Sequence, residues 1–382
     1  AAKYIDQEVI VQGKIVAAKK IAKICFLNFD TARSFTAVIH ESNFKNFPES
    51  PEKTYADKLV RIRGVISEYK GKPQIEVIRP EQVRILEQPE PLTPVPTTKP
   101  AEYQGVVTIG TYNVCNLFDA YDDPYHADEG TPAKPKAELE KLAASIKAAN
   151  ADVLALQEVE HRGYLELFVG AYLKDMGYRH VVCIDSNDQR GIDCAVLSRL
   201  PVGPVTSYRH LLFPDGTGKE MGFRRDLLQV RIEPPDGPDF SVFVVHLKSK
   251  RGSGEATEKY RVGGARQARK IFDGLLEKDR DARFVICGDF NDDWDSAPLK
   301  TIRGTGPGAL RDFLGDLPKD TVTFNKPPRG MIDFILTSPA MARRYVAKSY
   351  RVLSGSVAAS GSDHNPVLVQ FDLRGATSAV SH

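Results

Sequence analysis

The stretch Val285-Ile286-Cys287-Gly288-Asp289-Phe290-Asn291-Asp292-Asp293 decides how this chain reads. Phe284 to Cys287 is an apolar, β-favouring run that ends at a glycine, which predicts a buried strand and then a turn. Asp289 and Asn291 follow with one residue between them, and on extended backbone i and i+2 project to one side. A carboxylate and a carboxamide are therefore expected together at a strand's C-terminal end, where α/β proteins place their chemistry. Taken alone, G-D-x-N equally describes a strand closing in a solvated Asx-turn.

Working outward, the same pattern of an apolar strand ending in a polar group recurs. Val106 to Tyr112 ends at Asn113, Val153 to Val159 carries Glu158, and Phe240 to Leu247 carries His246. Ile332 to Leu336 carries Asp333, and Asp363-His364 precede a strand from Pro366 to Leu373. Further strands are expected at His180–Ile184, Ile192–Leu197 and Leu227–Ile232. An amphipathic helix is expected at Lys136–Asn150 and a long basic one at about Glu258–Lys278, with another helix built on Leu165, Phe168, Val169, Tyr172 and Leu173. One buried histidine among valines reads as a satisfied core residue. So many ionisable groups on apolar strands are costly unless they converge.

The front of the chain has a different texture. Short strands at Glu8–Val16, Ile24–Phe29, Phe35–Ile39, Leu59–Ser67, Gln74–Ile78 and Val83–Leu86, with one short helical turn after the third, resemble an OB-fold barrel. Lys20, Lys23, Lys70 and Lys72 interleave with Phe26, which could form a base-stacking face with cationic flanks. The same residues equally describe core phenylalanines and solvated hairpin lysines. Pro89, Pro91, Pro94, Pro96 and Pro100 then mark a semi-rigid linker. The expected division is residues 1–87 as an OB-like module, 88–103 as linker, 104–374 as catalytic domain and 375–382 as a tail.

Composition narrows the class. A chain of 382 residues exceeds one ordinary core, and no apolar run reaches the roughly 20 residues that span a bilayer. Five cysteines without a C-x-x-C pair argue against a disulfide framework or a thiolate metal cluster. Residues 1–100 carry 16 Lys and Arg against 12 Asp and Glu, which leaves 36 against 38 for the rest. A mildly basic front beside an acid-lined body suits an anionic ligand. Ala1 in place of Met fits either a trimmed chain or a mature end after signal removal, and the second would favour a secreted or periplasmic setting. The sequence carries no signal for an oligomeric state.

T-Y-N-V-C-N, L-Q-E-V, R-G-I-D-C-A-V-L-S-R, V-V-H-L-K-S, G-D-F-N-D, I-D-F-I-L and S-D-H-N-P-V occur in one order between Val106 and Leu373. That order resembles the endonuclease/exonuclease/phosphatase superfamily. The resemblance implies a four-layer α/β sandwich, two mixed β-sheets flanked by helices, behind the small all-β barrel. It implies Glu158 as the principal metal ligand, with Asn113 and Asp363 near the ion. Hard oxygen donors without a Cys/His cluster favour Mg2+, with Mn2+ or Ca2+ as alternatives. Asp289 and Asn291 would orient the attacking water, and His364, held by Asp333, would act as base or phosphate-orienting imidazole. His246 matches a histidine that protonates the leaving oxygen in deoxyribonucleases. Arg190, Arg225 and Lys248 are candidate phosphate contacts. Two departures stand out: Cys115 replaces an acid found in apurinic endonucleases, and only Asp193, one residue out of register, is near to orient His246.

The expected function is a metal-dependent phosphodiesterase, a nuclease on DNA or RNA with the front module as a nucleic-acid clamp. The alternatives are hydrolysis of lipid or sugar phosphates, or a non-catalytic binding protein on the same fold.

Overall fold

The computed structural model describes residues 8–32, 34–47, 50–69, 71–88, 105–214, 218–250, 254–354 and 361–374. The chain divides into two compact units, Ala1–Thr97 and Thr98–His382. Most of the expected linker, from residue 89 on, and the expected tail lie outside the described residues.

The front unit is a seven-stranded all-β sheet. Its strands are β1 (Glu8–Lys14), β2 (Ala17–Ile21), β3 (Ile24–Asn28), β4 (Thr36–His40), β5 (Leu59–Tyr69), β6 (Lys72–Glu76) and β7 (Val83–Leu86), with the short helix α1 (Pro51–Tyr55) before β5. They pair in the order β1-β5-β6-β4-β3-β2, with β7 also on β5. Strand β5 shows why: Val60, Ile62, Gly64 and Ile66 are buried while Arg63 and Val65 between them face out. Ile15, Leu27, Ile39 and Ile75 complete that core. Strand β2, Ala-Ala-Lys-Lys-Ile, has no apolar alternation and so no pattern that predicts a strand; it is a mostly exposed edge held by backbone pairing to β3.

The second unit holds two mixed sheets. Its strands in chain order are β8 (Val106–Leu117), β9 (Val153–Val159), β10 (His180–Cys183), β11 (Asp193–Ser198), β12 (Val202–Ser207), β13 (Phe213–Pro214), β14 (Glu220–Met221), β15 (Leu228–Ile232), β16 (Phe240–His246), β17 (Phe284–Asp289), β18 (Asp333–Thr337), β19 (Arg351–Val352) and β20 (Val367–Asp372). Its helices are α2 (Lys136–Ala149), α3 (Arg162–Tyr172), α4 (Glu255–Lys278), α5 (Ala297–Arg303) and α6 (Pro339–Ala342). One sheet runs β10-β11-β9-β8-β20-β19 and the other β12-β15-β16-β17-β18. Each contains one parallel pair, β8 with β9 and β16 with β17, among antiparallel neighbours.

Strand alternation separates three apolar layers. Val107, Ile109, Val153, Val242, Val244, Val285, Cys287 and Ile335 pack between the two sheets. Leu154 and Leu156 face helices α2 and α3 through Leu142, Ile146 and Leu165. Phe243, Phe284 and Ile286 face α4 through Ala268 and Phe272. The order is thus helix, sheet, sheet, helix. The edge strand β12, with Pro204 inside it, escaped the sequence reading because proline and half-exposure hide its pattern.

Alternation also fixes where polar groups emerge. Continuing Val285 and Cys287 by two brings Asp289 to the inter-sheet face, and Val242, Val244 does the same for His246. Asn113 follows Ile109 on β8, and Asp333 precedes Ile335 on β18. His246, Asp289 and Asp333 are direct cross-strand partners in one row. Gly288 makes the row possible. Its φ is +149°, and a Cβ there would lie 1.9 Å from the carbonyl oxygen of Val245. Gly288→Ala is expected to destabilise the protein by ~2–4 kcal/mol, since β16 and β17 must part to admit it. Thermal unfolding within about 1 °C of wild type would contradict this.

Candidate active site

The seam between the sheets ends in a polar cluster centred on Asp289, whose side chain is 2% exposed. Its Oδ2 accepts hydrogen bonds from Asn113 Nδ2 and Asn291 Nδ2, each at 3.0 Å. His246 Nε2 stands 3.5 Å from the same oxygen and His364 Nε2 3.9 Å. One carboxylate oxygen therefore gathers residues from both sheets. Burial, then the charge of Asp333, pushes the Asp289 carboxyl up to about 7, against the opposing pull of His364 and the two amides.

Asn291 reaches Asp289 by a turn, not by strand alternation. Its φ is +51°, its backbone N–H donates to Asp289 Oδ1 at 2.7 Å, and its side chain also donates to Leu247 O at 3.0 Å. The predicted pairing holds, and the Asx-turn geometry produces it. Glu158 departs from strand geometry too. Alternation after Leu154 and Leu156 would point it at the helices, but φ of +65° turns it out. Its Oε2 accepts from Asn116 N at 3.0 Å and its Oε1 from Asn113 Nδ2 at 3.2 Å. Cys115 and Asn116 also have positive φ, so four non-glycine left-handed residues surround the site. Strain held by such packing gathers where side-chain aim matters.

His364 Nδ1 lies 2.9 Å from Asp333 Oδ2, the pairing the sequence implied. Burial alone would depress this imidazole, but the charge and hydrogen bond of Asp333, with Asp289 and Asp363 behind, raise it to about 10. Those carboxylates favour the protonated ring. His246 is the opposite case. Burial and the charges of Arg225, His364 and Arg190 hold it well below the usual imidazole range. Its Nδ1 is buried without a hydrogen-bond partner, and Asp193 Oδ1 accepts from Ser186 N at 2.8 Å.

The oxygen set fits a divalent cation. Glu158 is 20% exposed at the seam, and the nearest imidazole nitrogen, on neutral His246, is 3.8 Å away. Asp363 Oδ2 pairs with Lys326 Nζ at 2.8 Å; burial opposes its ionisation, but Lys326 and His364 hold it below the usual carboxylate range. Burial, Asp363 and Glu158 together push the Cys115 thiol up to about 11, so both carboxylates lie beside it and the thiol stays protonated. That leaves Glu158, Asp363 and the Asn113 amide as hard donors suited to Mg2+, Mn2+ or Ca2+. Among the described residues, two groups of carboxylates and an imidazole place ligand-type atoms within 4.8 Å of one another, Asp289–Asp333–His364 and Asp119–Glu160–His161. The first is already tied by the imidazole–carboxylate hydrogen bond.

The expected phosphate contacts divide. Arg190 Nη2 donates to Asn116 Oδ1 at 2.8 Å and stands by the site. Arg225 is largely committed, donating to Leu247 O at 3.0 Å and lying 3.4 Å from Asp188 Oδ2. Lys248 is half-buried and held below the usual amine range by burial and by Arg224, Arg225 and Arg261. Sequence reasoning missed Arg261, buried on α4, which donates to the carbonyls of Phe290 and Asn291 at 3.3 and 3.2 Å and binds the Asp292 carboxylate. It braces the turn that carries Asn291. Its one sequence signal was an arginine on the apolar face of a helix, beside Gly263 and Gly264.

In the front unit the predicted face is only partly assembled. Phe26 pairs with Lys19 across β2 and β3, whereas Lys20 pairs with core Cys25 and lies 4.4 Å above the Phe44 ring. Lys23 Nζ is 3.6 Å from Glu41, and Lys72 faces Tyr69 across a hairpin. Lys70 lies outside the described residues.

A helix-sheet-sheet-helix body with carboxylates, imidazoles and carboxamides at one end of the seam defines a metal-assisted phosphoesterase. Residues 108–305 match the model of the Endonuclease/Exonuclease/phosphatase family, and the chain belongs to that family. It is a metal-dependent hydrolase of phosphate esters. Among solved structures it is similar to the catalytic domain of human Nocturnin, at 19% identity and a TM-score of 0.52, covering 70% of this chain and 94% of that one. An endonuclease/exonuclease/phosphatase from Bacteroides vulgatus gives 20%, 0.49, 70% and 99%, and truncated Caenorhabditis elegans TDP2 gives 16%, 0.47, 70% and 97%. At such identities the likeness concerns the fold. No curated protein matches the chain in sequence.

If His364 and Asp333 act as one unit, His364→Ala and Asp333→Asn should each lower kcat by similar factors, about 10²–10⁴. Their double mutant should then fall little further. Strictly additive losses in steady-state kinetics would break the pair.

Proposed function

We propose that this enzyme is a Mg2+-dependent nuclease that cleaves the phosphodiester backbone of DNA by in-line attack of water. One observation supports the chemistry above all others: imidazoles and carboxamides from two sheets converge on the Asp289 oxygen, beside a partly exposed Glu158. Glu158, Asn113 and Asp363 would hold the ion, which supplies charge neutralisation on the phosphoryl group.

The chain's own groups do the rest. Asp289 and Asn291 position the attacking water, and the carboxylate is placed to take its proton. The Asn291 amide donates to a phosphoryl oxygen without repelling it. His364, cationic and fixed by Asp333, binds a second phosphoryl oxygen where charge develops. His246 is a neutral neighbour, its Nε2 3.5 Å from Asp289 Oδ2, that keeps water out of the seam. Arg190 adds a cation at the rim. The front unit, read as an OB-like clamp, would add a stacking and cationic surface through Phe26, Lys19 and Lys72, and its basic balance supports nucleic acid as the partner.

The test is turnover on single- and double-stranded DNA, RNA, phosphoinositides and sphingomyelin, with Mg2+ and with chelator, for the wild type and Glu158→Gln. The account expects DNA cleavage that chelator abolishes. It expects Glu158→Gln to lose about 10²–10³-fold in kcat and to bind Mn2+ more weakly by calorimetry. Full-rate turnover in excess chelator would overturn the metal reading. Turnover confined to the lipids would overturn the nucleic-acid one.

A further inference from the structure

The parallel strands β8 and β9 end side by side, with Leu117 opposite Val159, and an acid follows just beyond each end. Those acids, Asp119 and Glu160, stand with His161 so that their ligand-type atoms lie within 4.8 Å of one another. The imidazole is a brace and not a ligand. Its Nδ1 accepts from Tyr164 N at 3.2 Å at the start of α3, so a proton sits on Nε2, which faces Asp119 Oδ2 at 3.4 Å. The cluster therefore offers carboxylate oxygen alone. Asp119 Oδ1 accepts from Tyr121 N and Glu160 Oε2 from Asp119 N, each at 2.7 Å, which fixes both side chains to the strand ends.

A third carboxylate shows what the cluster lacks. Asp128, from the loop that follows β8, is 6% exposed, and its Oδ1 is buried with no hydrogen-bond partner. Its other oxygen accepts from Asp123 N at 3.3 Å. The charge of Asp128 reaches Glu160: burial pushes the Glu160 carboxyl up, and Asp119 and Asp128 push the same way, against the Asp119 N–H and His161. Elsewhere this chain covers a buried carboxylate with guanidinium, as Arg224 does for Asp188 and Arg261 for Asp292. Among the described residues the three acids have one ion pair, Asp119 with His161, and no lysine or arginine. Three such acids with an unsatisfied buried oxygen are costly unless a cation joins them.

We propose that Asp119, Asp128 and Glu160 form a Ca2+ site, distinct from the catalytic ion, that fastens loop 119–131 to the ends of β8 and β9. Ca2+ takes about 6–8 oxygen ligands in flexible geometry, which suits carboxylates carried on three segments, with backbone carbonyls and water filling the shell. Mg2+ demands a stricter octahedron. The fastened loop has a task. Ala127 N donates to Gln189 O at 2.6 Å, and Arg190 Nη2 reaches Thr131 Oγ1 at 3.3 Å and Asn116 Oδ1 at 2.8 Å. Asn116 N in turn donates to Glu158 Oε2 at 3.0 Å, so the loop supports the backbone that aims Glu158. This inference stands apart from the nuclease reading, because the ion it concerns does not meet the substrate.

The test uses the chelator-stripped full-length protein, with Ca2+ and its luminescent mimic Tb3+ as probes. Tyr121 and Tyr125 on the loop, and Tyr164 within the field of Asp119 and Glu160, are placed to sensitise Tb3+. Tb3+ is expected to emit on tyrosine excitation and to be displaced by Ca2+, in the wild type and equally in Glu158→Gln. Asp128→Asn and Glu160→Gln are each expected to weaken Ca2+ about a hundredfold in that displacement, since each removes a charged ligand. Thermal unfolding separates a lost ion from a lost fold. Ca2+ at about a hundredfold over its Kd is expected to raise the wild-type midpoint by about 5 °C, and that of Asp128→Asn by about 1 °C or less. Without Ca2+, Asp128→Asn should melt no lower than the wild type, because it removes one of three crowded like charges. A Ca2+ shift that survives in both Asp128→Asn and Glu160→Gln would overturn the proposal. So would a shift that disappears in Glu158→Gln, which would assign the ion to the catalytic centre, or no response up to about 10 mM Ca2+. Mg2+ giving the same shift at the same concentration would overturn the assignment to Ca2+.

Discussion

A buried hydrogen bond joins the two sheets at their functional end: Asn113 of β8 donates to Asp289 of β17 at 3.0 Å. Everything around it answers the same constraint. A carboxylate deep in an apolar seam is expensive unless donors surround it, and here they come from Asn113, Asn291 and the Asn291 backbone. The donors are themselves fixed by backbone geometry. Asn113 Oδ1 accepts from Cys115 N at 2.9 Å, and its carbonyl accepts from Ser362 Oγ at 2.7 Å, which ties the Asp363-His364 segment to β8. Remove that network and the layers still pack, but nothing sets the distance between the groups of one sheet and those of the other.

Charge is arranged in opposite ways around this centre. His364 is held cationic by Asp333 and Asp363, while His246, a few ångströms from the same Asp289 oxygen, is held neutral by burial and by neighbouring cations. Two imidazoles with different partners are thus pushed in opposite directions in one site, as environment does to chemically identical groups. Arg261 contributes from outside, bracing the Asn291 turn through carbonyls and Asp292 without approaching the reacting groups.

The buried strands were legible in the sequence because two-residue alternation and β-branched runs are strong local signals. Val153–Val159 and Val83–Leu86 were read to the residue, and the His364–Asp333 pairing followed from motif order. What alternation does not encode was missed. Glu158 and Asn291 reach the site through positive φ, which no residue pattern announced because neither is glycine. Arg261 acts through tertiary contacts from a helix far along the chain, and β2 and β12 lack apolar alternation because each lies at a sheet edge. The surroundings of His246 were equally illegible: burial and Arg225 lower its affinity for a proton, and Asp193 Oδ1 accepts from Ser186 N.

The central claim is that this strand-end assembly holds a divalent ion at Glu158. Crystals grown with Mn2+ and measured for anomalous scattering test it most directly. The account predicts a peak bonded to the Glu158 carboxylate, next to Asp363 and Asn113. A peak at Asp119, Glu160 and His161, with none at Glu158 in crystals of active enzyme, would contradict it.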